Sequence, residues 1–334
     1  MTQTAVRPSE TTHASRPRVG ISACLLGKEV RYDGGHKRDR FLTGTLAKYV
    51  EWIPMCPEAE SGMGTPRPMI RLVGPDPLAP SVLETKTGID RTAQLKGWVE
   101  KRAKTLPSLD LDGFILKKDS PSCGLARVRR YPSAEAKGAP FRDGSGLFAL
   151  ALKDRTLAVP LSEEGWLNDS RLREDFLSRL FTHYRLRLAL ETGSHQALLE
   201  AHAAHKFLYM AHHPKAPSTL GQLLNGSREV SVEQMGKEYM QAAMELMAKA
   251  TTRGKHVNVL QHVLGFFKTV ISAEEKQEML ALIADFRRAT QPLAVPLALF
   301  RHYVNRYDVS DWLRSQVYFE PFPHAIAQRA ARIR

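Results

Sequence analysis

"DGFILKKDSPSCG", Asp112 to Gly124, decides how the first half of this chain folds. Its first residues, "DGFILKK" (Asp112–Lys118), hold a short apolar run and read as a core strand. The Pro/Ser turn after them ends on a cysteine among basic residues. Two other stretches have the same form. "RVGISAC" runs into Cys24 and "EWIPMC" runs into Cys56. With Cys123 these are the only three cysteines, and each follows a predicted strand by zero to a few residues.

Between these strands lie helical patterns. "FLTGTLAKYV" (Phe41–Val50) has apolar residues at helical spacing, and "RTAQLKGWVEKRAKTL" (Arg91–Leu106) is amphipathic. "MIRLV" (Met69–Val73) reads as a hairpin arm. "GLFALALKDR" reads as a helix, and "LAVPL" (Leu157–Leu161) as a fourth strand. Strand–helix–strand order predicts an α/β N-terminal domain with a mostly parallel sheet. From about Asn168 the pattern changes to long amphipathic helices, with Ser194 as an N-cap. "SAEEKQ" at Ser272 has the spacing of a capping box. The second half is therefore expected to be an all-α C-terminal domain. The expected division is a disordered tail at 1–16, the α/β domain at 17–163 and a helical accessory domain at 164–326.

The chain of 334 residues carries a formal charge of +13. Through residue 160 there are 26 Lys/Arg against 17 Asp/Glu, and afterwards 22 against 18; ten of the twelve histidines follow residue 160. A basic excess favours a polyanionic partner or merely keeps the chain soluble. No apolar run approaches a membrane span. The Thr/Ser/Pro-rich start has no apolar signal core, so a cytoplasmic location is expected. An odd number of distant cysteines without a CxxC argues against a disulfide framework.

If the three strands are parallel and adjacent, their cysteines converge at one rim, where open α/β sheets bind ligands. Buried thiols packing as small hydrophobes are the plain alternative. Converging thiolates suit zinc with His36 as fourth ligand, or an iron–sulfur cluster whose cysteine-free iron is an open, thiophilic position. Glu58, two residues after Cys56, is a candidate general base. Ser120 and Ser122 precede Cys123, and Asp33-Gly34-Gly35 requires a tight turn near Cys24. Lys117 and Lys118 are candidates for holding phosphate.

Taken together, "SACLLGKEVRYDGGHK", "CPEAESGMGTPR" and "KDSPSCG" resemble the three signature segments of the TudS-like desulfidases, over roughly residues 18–160. The second half, with "HKFLYMAHHPKAPSTLGQLL", resembles a helical domain fused behind the first in RudS-type tRNA 4-thiouridine desulfidases. The resemblance implies a 4Fe-4S cluster held by Cys24, Cys56 and Cys123, with Glu58 and Ser120 as catalytic groups. Asp33, Gly34, Ser122, Lys117 and Lys118 would contact substrate. The implied reaction removes sulfur from 4-thiouridine in tRNA as sulfide, with water supplying the oxygen and no net redox change. Free thiouracil or another thiolated base is the alternative substrate. An RNA-binding sensor module without turnover is the rival from a different class. In the second half, His202, His205, Tyr209, His212 and His213 follow one helix near Glu200, Lys206 and Lys215. They are open to metal binding, RNA contact or a core role.

Overall fold

The computed structural model describes residues 16–136, 138–155, 158–225 and 230–328. The tail expected at 1–16 lies outside them but for its last residue. In chain order the strands are β1 (Arg18–Ser22), β2 (Glu51–Met55), β3 (Ile70–Val73), β4 (Ser81–Glu84), β5 (Gly113–Leu116), β6 (Val128–Tyr131), β7 (Phe141–Gly144) and β8 (Leu161–Glu163). The first sheet has the order β2-β1-β5-β8, and all its pairs are parallel. The three strands that precede the cysteines are thus neighbours with a common direction, as expected.

Period-two alternation sends the side chains of this sheet into two cores. Val19, Ile21 and Ile115 pack on one face with Phe176, Leu177 and Leu180. Phe114 and Leu116 pack on the other with Val99, Phe148 and Leu152. Helices α1 (Thr92–Thr105) and α2 (Leu147–Arg155) supply that second face.

A second sheet, β4-β3-β6-β7, pairs β3 antiparallel to β4 and parallel to β6. The hairpin arm expected at Met69–Val73 is β3. Strands β6 and β7 had no strand pattern, because "VRRY" and "FRDG" are mostly charged or polar. They are rescued by pairing and by burial of Val128 and Arg130.

Two local expectations change. Residues Phe41–Lys48 form a π turn and a 3-10 turn in place of an α-helix. A short stretch with Gly44 and two threonines has weak helix propensity, though Leu42 and Leu46 are buried as the spacing predicts. Leu157 of the expected fourth strand lies outside the described residues. The strand itself starts at Leu161, where that pattern ended.

The rest of the described chain is helical: α3 (Ser170–Glu191), α4 (His195–His212), α5 (Ala216–Leu224), α6 (Val232–Met247), α7 (Arg253–Gly265), α8 (Ala273–Arg287), α9 (Ala294–Arg306) and the short α10 (Asp311–Arg314) and α11 (His324–Gln328). Ser194 accepts from the Ala197 amide, and Ser272 with Glu275 forms the reciprocal capping box.

Helix α3 lies wholly beyond the boundary expected at residue 164, yet it packs with both halves. Its first half, through Phe181, packs on the sheet, while Leu186 belongs to the helical core. Leu180 presses so close to Gly113 that a Cβ there would lie 2.8 Å from it. Buried Asp112 clamps the junction, accepting from the Arg18 amide at 2.9 Å and from Arg187 Nε and Nη2 at 2.8 Å each. His183 Nδ1 lies 3.1 Å from the same carboxylate. Burial disfavours its charge, but these bonds win and hold its pKa below the usual carboxylate value. Among the described residues no helix is long and apolar enough to cross a membrane.

Candidate active site

A cavity of about 450 Å³ opens at the carboxyl ends of β1, β2 and β5, within the range of small-ligand sites. Cys24, Cys56 and Cys123 all line it. Cys24 sits in the 3-10 turn that follows β1. Cys56 follows β2 directly, and Glu60 folds back to accept from its amide at 2.7 Å. The Cys123 loop is held by α2. Amides of Gly146, Leu147 and Phe148 donate to the carbonyls of Gly124, Pro121 and Ser122. A Cβ at Gly146 would come within 2.4 Å of the Ser122 carbonyl carbon, so the helix reaches the loop only because glycine stands there. On its far side Glu163 accepts from the Leu125 amide at 2.7 Å, and the Lys153 ammonium donates to the Leu125 carbonyl.

Burial raises all three thiol pKa values, that of Cys24 to about 11, and Cys56 adds its own repulsion at both neighbours. Such thiols do not ionise unaided near neutrality; a cationic group binding them must displace their protons. Among the described residues no three His, Cys, Asp or Glu side chains are grouped closely enough to hold one metal ion. His36 is not in the cavity wall, and its Nδ1 accepts from the Arg38 amide at 3.2 Å. The Cys₃His zinc arrangement is therefore not what the fold builds. Three thiols spread over one cavity would suit a wider, multi-iron group held by thiolates.

Glu58 lines the same cavity, and its two oxygens have different partners. Oε1 accepts from Ser122 Oγ at 2.6 Å and from Ser120 Oγ at 3.4 Å. Oε2 accepts from Arg67 Nη2 at 2.7 Å and Nε at 3.0 Å. The serine hydroxyls lie 3.0 Å apart, and Ser120 Oγ also accepts from the Cys123 amide at 3.1 Å. A carboxylate, two hydroxyls and a cysteine amide thus form one hydrogen-bonded chain on the cavity wall.

The remaining expected contacts divide. Lys118 lines the cavity and is exposed. Lys117 also lines it, but its ammonium is paired with Glu164 and with the Lys118 carbonyl, so it is not a free phosphate-binding group. Asp33 and Gly34 fall outside the cavity wall. The Asp33 carboxylate turns back to the Gly35 amide and to Arg31, which lower its pKa, so it braces Arg31 instead of facing a ligand. Arg67 was overlooked; a single arginine after "GTP" has no distinguishing pattern. Lys37 and Arg129 also line the cavity. Among the described residues the side chains of Lys37, Lys118 and Arg129 have no hydrogen-bonding or ion-pairing partner. Two arginines flank them over aromatic rings, Arg31 at 5.1 Å from the Tyr32 centroid and Arg71 at 4.7 Å from Tyr131.

Residues 19–164 match the family described as 2-thiouracil desulfurase, and residues 206–323 match a protein family of unknown function, DUF1722. The uncharacterised protein YbgA of Escherichia coli (strain K12) is 32% identical over 165 residues, which are 49% of this chain and 97% of YbgA. The chain belongs to the TudS-like, 2-thiouracil desulfurase family. Another relative, the uncharacterised YbbK of Bacillus subtilis (strain 168), is 31% identical over 156 residues, covering 45% of this chain and 97% of YbbK. A solved structure, that of the 4Fe-4S-dependent thiouracil desulfidase TudS, is 28% identical with a TM-score of 0.37, covering 46% of this chain and 93% of its own. In this TudS-like chain the three motifs that carried the resemblance are the three segments gathered around the cavity.

Proposed function

We propose that this desulfidase acts on a thiolated pyrimidine carried in RNA, 4-thiouridine of tRNA, and binds a 4Fe-4S cluster through Cys24, Cys56 and Cys123. The cluster would supply a thiophilic Lewis-acid iron for the thiocarbonyl sulfur. The protein's own part is proton handling. Glu58 Oε1, joined to Ser122 and Ser120, takes a proton from the water that attacks the ring carbon. The same chain returns a proton to the departing sulfur. A C=S bond is exchanged for C=O, sulfur leaves as hydrogen sulfide, and no electrons are gained or lost. The distances favour Ser122 as the immediate partner of Glu58, with Ser120 as the second hydroxyl.

The observation that supports RNA is the trio of unpaired cations, Lys37, Lys118 and Arg129, placed around the cavity from three separate segments with two Arg–Tyr stacks beside them. A free base carries no phosphate for them to meet. Stacking and phosphate contacts are the usual means of holding single-stranded or flipped-out nucleotides. The family description favours the second reading, free 2-thiouracil, which the cavity also admits. We place the enzyme in the cytoplasm and give the region from 164 to 326 the role of accessory domain in RNA capture.

Anaerobically purified protein should release sulfide from thiolated tRNA with a higher kcat/KM than from free 2-thiouracil. Added salt should erode that advantage, by a slope of roughly −0.7 to −0.9 for each phosphate engaged. Equal efficiency on both, insensitive to salt, would give the free-base reading the lead. Release from neither would leave the RNA-binding module.

A further inference from the structure

Arg67 is the buried cation of the site, its side chain only 3% exposed. Every guanidinium N–H has an acceptor. Nε and one Nη2 hydrogen go to Glu58 Oε2, and the other Nη2 hydrogen goes to the Val30 carbonyl at 2.9 Å. Nη1 donates to the Gly64 carbonyl at 2.8 Å and to Thr65 Oγ1 at 3.3 Å. The Arg67 amide donates to the Tyr32 carbonyl at 2.9 Å. The side chain lines the cavity, yet it has no donor left for a substrate.

We propose that Arg67 is a positioning residue for desulfuration, which rests on the function proposed above. By occupying Oε2 with a two-point fork, it leaves Oε1 alone to address Ser122, Ser120 and the cavity. It also ties the segment after Cys24 to the segment after Cys56, because it follows Cys56 in sequence and grips the Val30 carbonyl. Lysine keeps the charge but cannot reproduce a planar fork, so the conservative substitution is informative.

The test measures sulfide release by wild type, Arg67→Lys, Glu58→Gln and the double variant, with cluster loading followed by iron content and absorption spectrum. Arg67→Lys should lower kcat by about 10- to 100-fold, the cost of misplacing a reacting group by about 1 Å, while KM for 2-thiouracil changes less than about threefold. In the Glu58→Gln background the same substitution should cost less than about threefold more, because the group it positions is already gone. An unchanged kcat, or an undiminished loss on top of Glu58→Gln, would overturn the assignment. So would a change in KM alone. Should Arg67→Lys fail to fold, a crystal structure of wild type with 2-thiouracil decides the matter. The guanidinium must remain on Oε2 and make no bond to the base, and a direct Arg67–base contact refutes positioning. A wild type that desulfurates no thiopyrimidine sinks the functional reading itself, an outcome that none of the variant results can mimic.

Discussion

The two halves of the chain both bury groups able to bind metals and protons, and they do so to opposite ends. In the α/β half the buried Cys24 and Cys123, with the half-buried Cys56 and Glu58, stand at strand ends and face a shared cavity. In the helical half His202, His205 and His212 are buried within the bundle. His202 Nδ1 meets the Tyr239 hydroxyl at 3.0 Å, His205 Nδ1 the Ala201 carbonyl at 2.7 Å and His212 Nδ1 the Lys249 carbonyl at 2.8 Å. His205 stacks on Tyr209, which is itself fully buried. For these three histidines the core role fits best, because their side chains are buried and each Nδ1 is engaged by the bundle itself. A row of chemically able residues becomes a site where the backbone ends an element and leaves space, and becomes packing where a helix continues past it.

The sharpest way to break this comparison is Cys123→Ala. Sulfide release should fall to background and iron retention with it, while far-UV circular dichroism shows the helices intact. Activity that survives would return Cys123 to the packing class alongside the histidines. Glu58→Gln keeps the hydrogen-bonded shape but removes the base. It should lower kcat by roughly 10²–10⁴-fold with iron content unchanged. A loss under about threefold would mean that the Glu58–Ser122–Ser120 chain is structural.

The rim was legible because three strand-like runs each ended on a cysteine, and a parallel sheet of neighbouring strands leaves the site at one end. The division of labour inside the site was not legible. Nothing in "KKDSPSCG" says that Lys117 is consumed by Glu164, just past β8 and forty-seven positions on, or that Ser122 lies nearer Glu58 than Ser120 does. Those are long-range contacts, and local pattern does not encode them. The histidines were ambiguous for a related reason. Three-residue spacing puts His202 and His205 on one face, but only packing by α6 and α7 decides whether that face is wet. Strands β6 and β7 were missed because their stability comes from partners and not from propensity.

Asp112 joins the halves, and removing its charge should separate them. With Asp112→Asn, Arg187 loses its buried carboxylate and keeps only the exposed Glu191 as an ionic partner, at a cost of up to about 3–5 kcal/mol. Calorimetry should then show two unfolding transitions where wild type shows one, because the sheet and the bundle no longer share the α3 clamp. A single transition at the wild-type temperature would mean that the apolar half of α3, Phe176 to Phe181, couples the halves unaided.

Acid should act on the helical half. Burial pushes His202, His212 and His256 down to about 4 and His205 to about 3, so all four are neutral in the folded chain. Unfolded, each takes up a proton near its ordinary value of about 6.5. The unfolded state therefore binds more protons in this window. The stability these residues contribute is present above about pH 6.5 and drains away as pH falls toward 4, by up to about 1.4 kcal/mol per pH unit for each histidine. A melting temperature of the bundle that drops between about pH 7 and about pH 5 is the expected result. His205→Gln should flatten part of that slope, since it removes the most deeply buried of the four while keeping a hydrogen-bonding side chain. A flat profile in the wild type would mean that the bundle opens to water around these rings, and the contrast with the site half would then lose its physical basis.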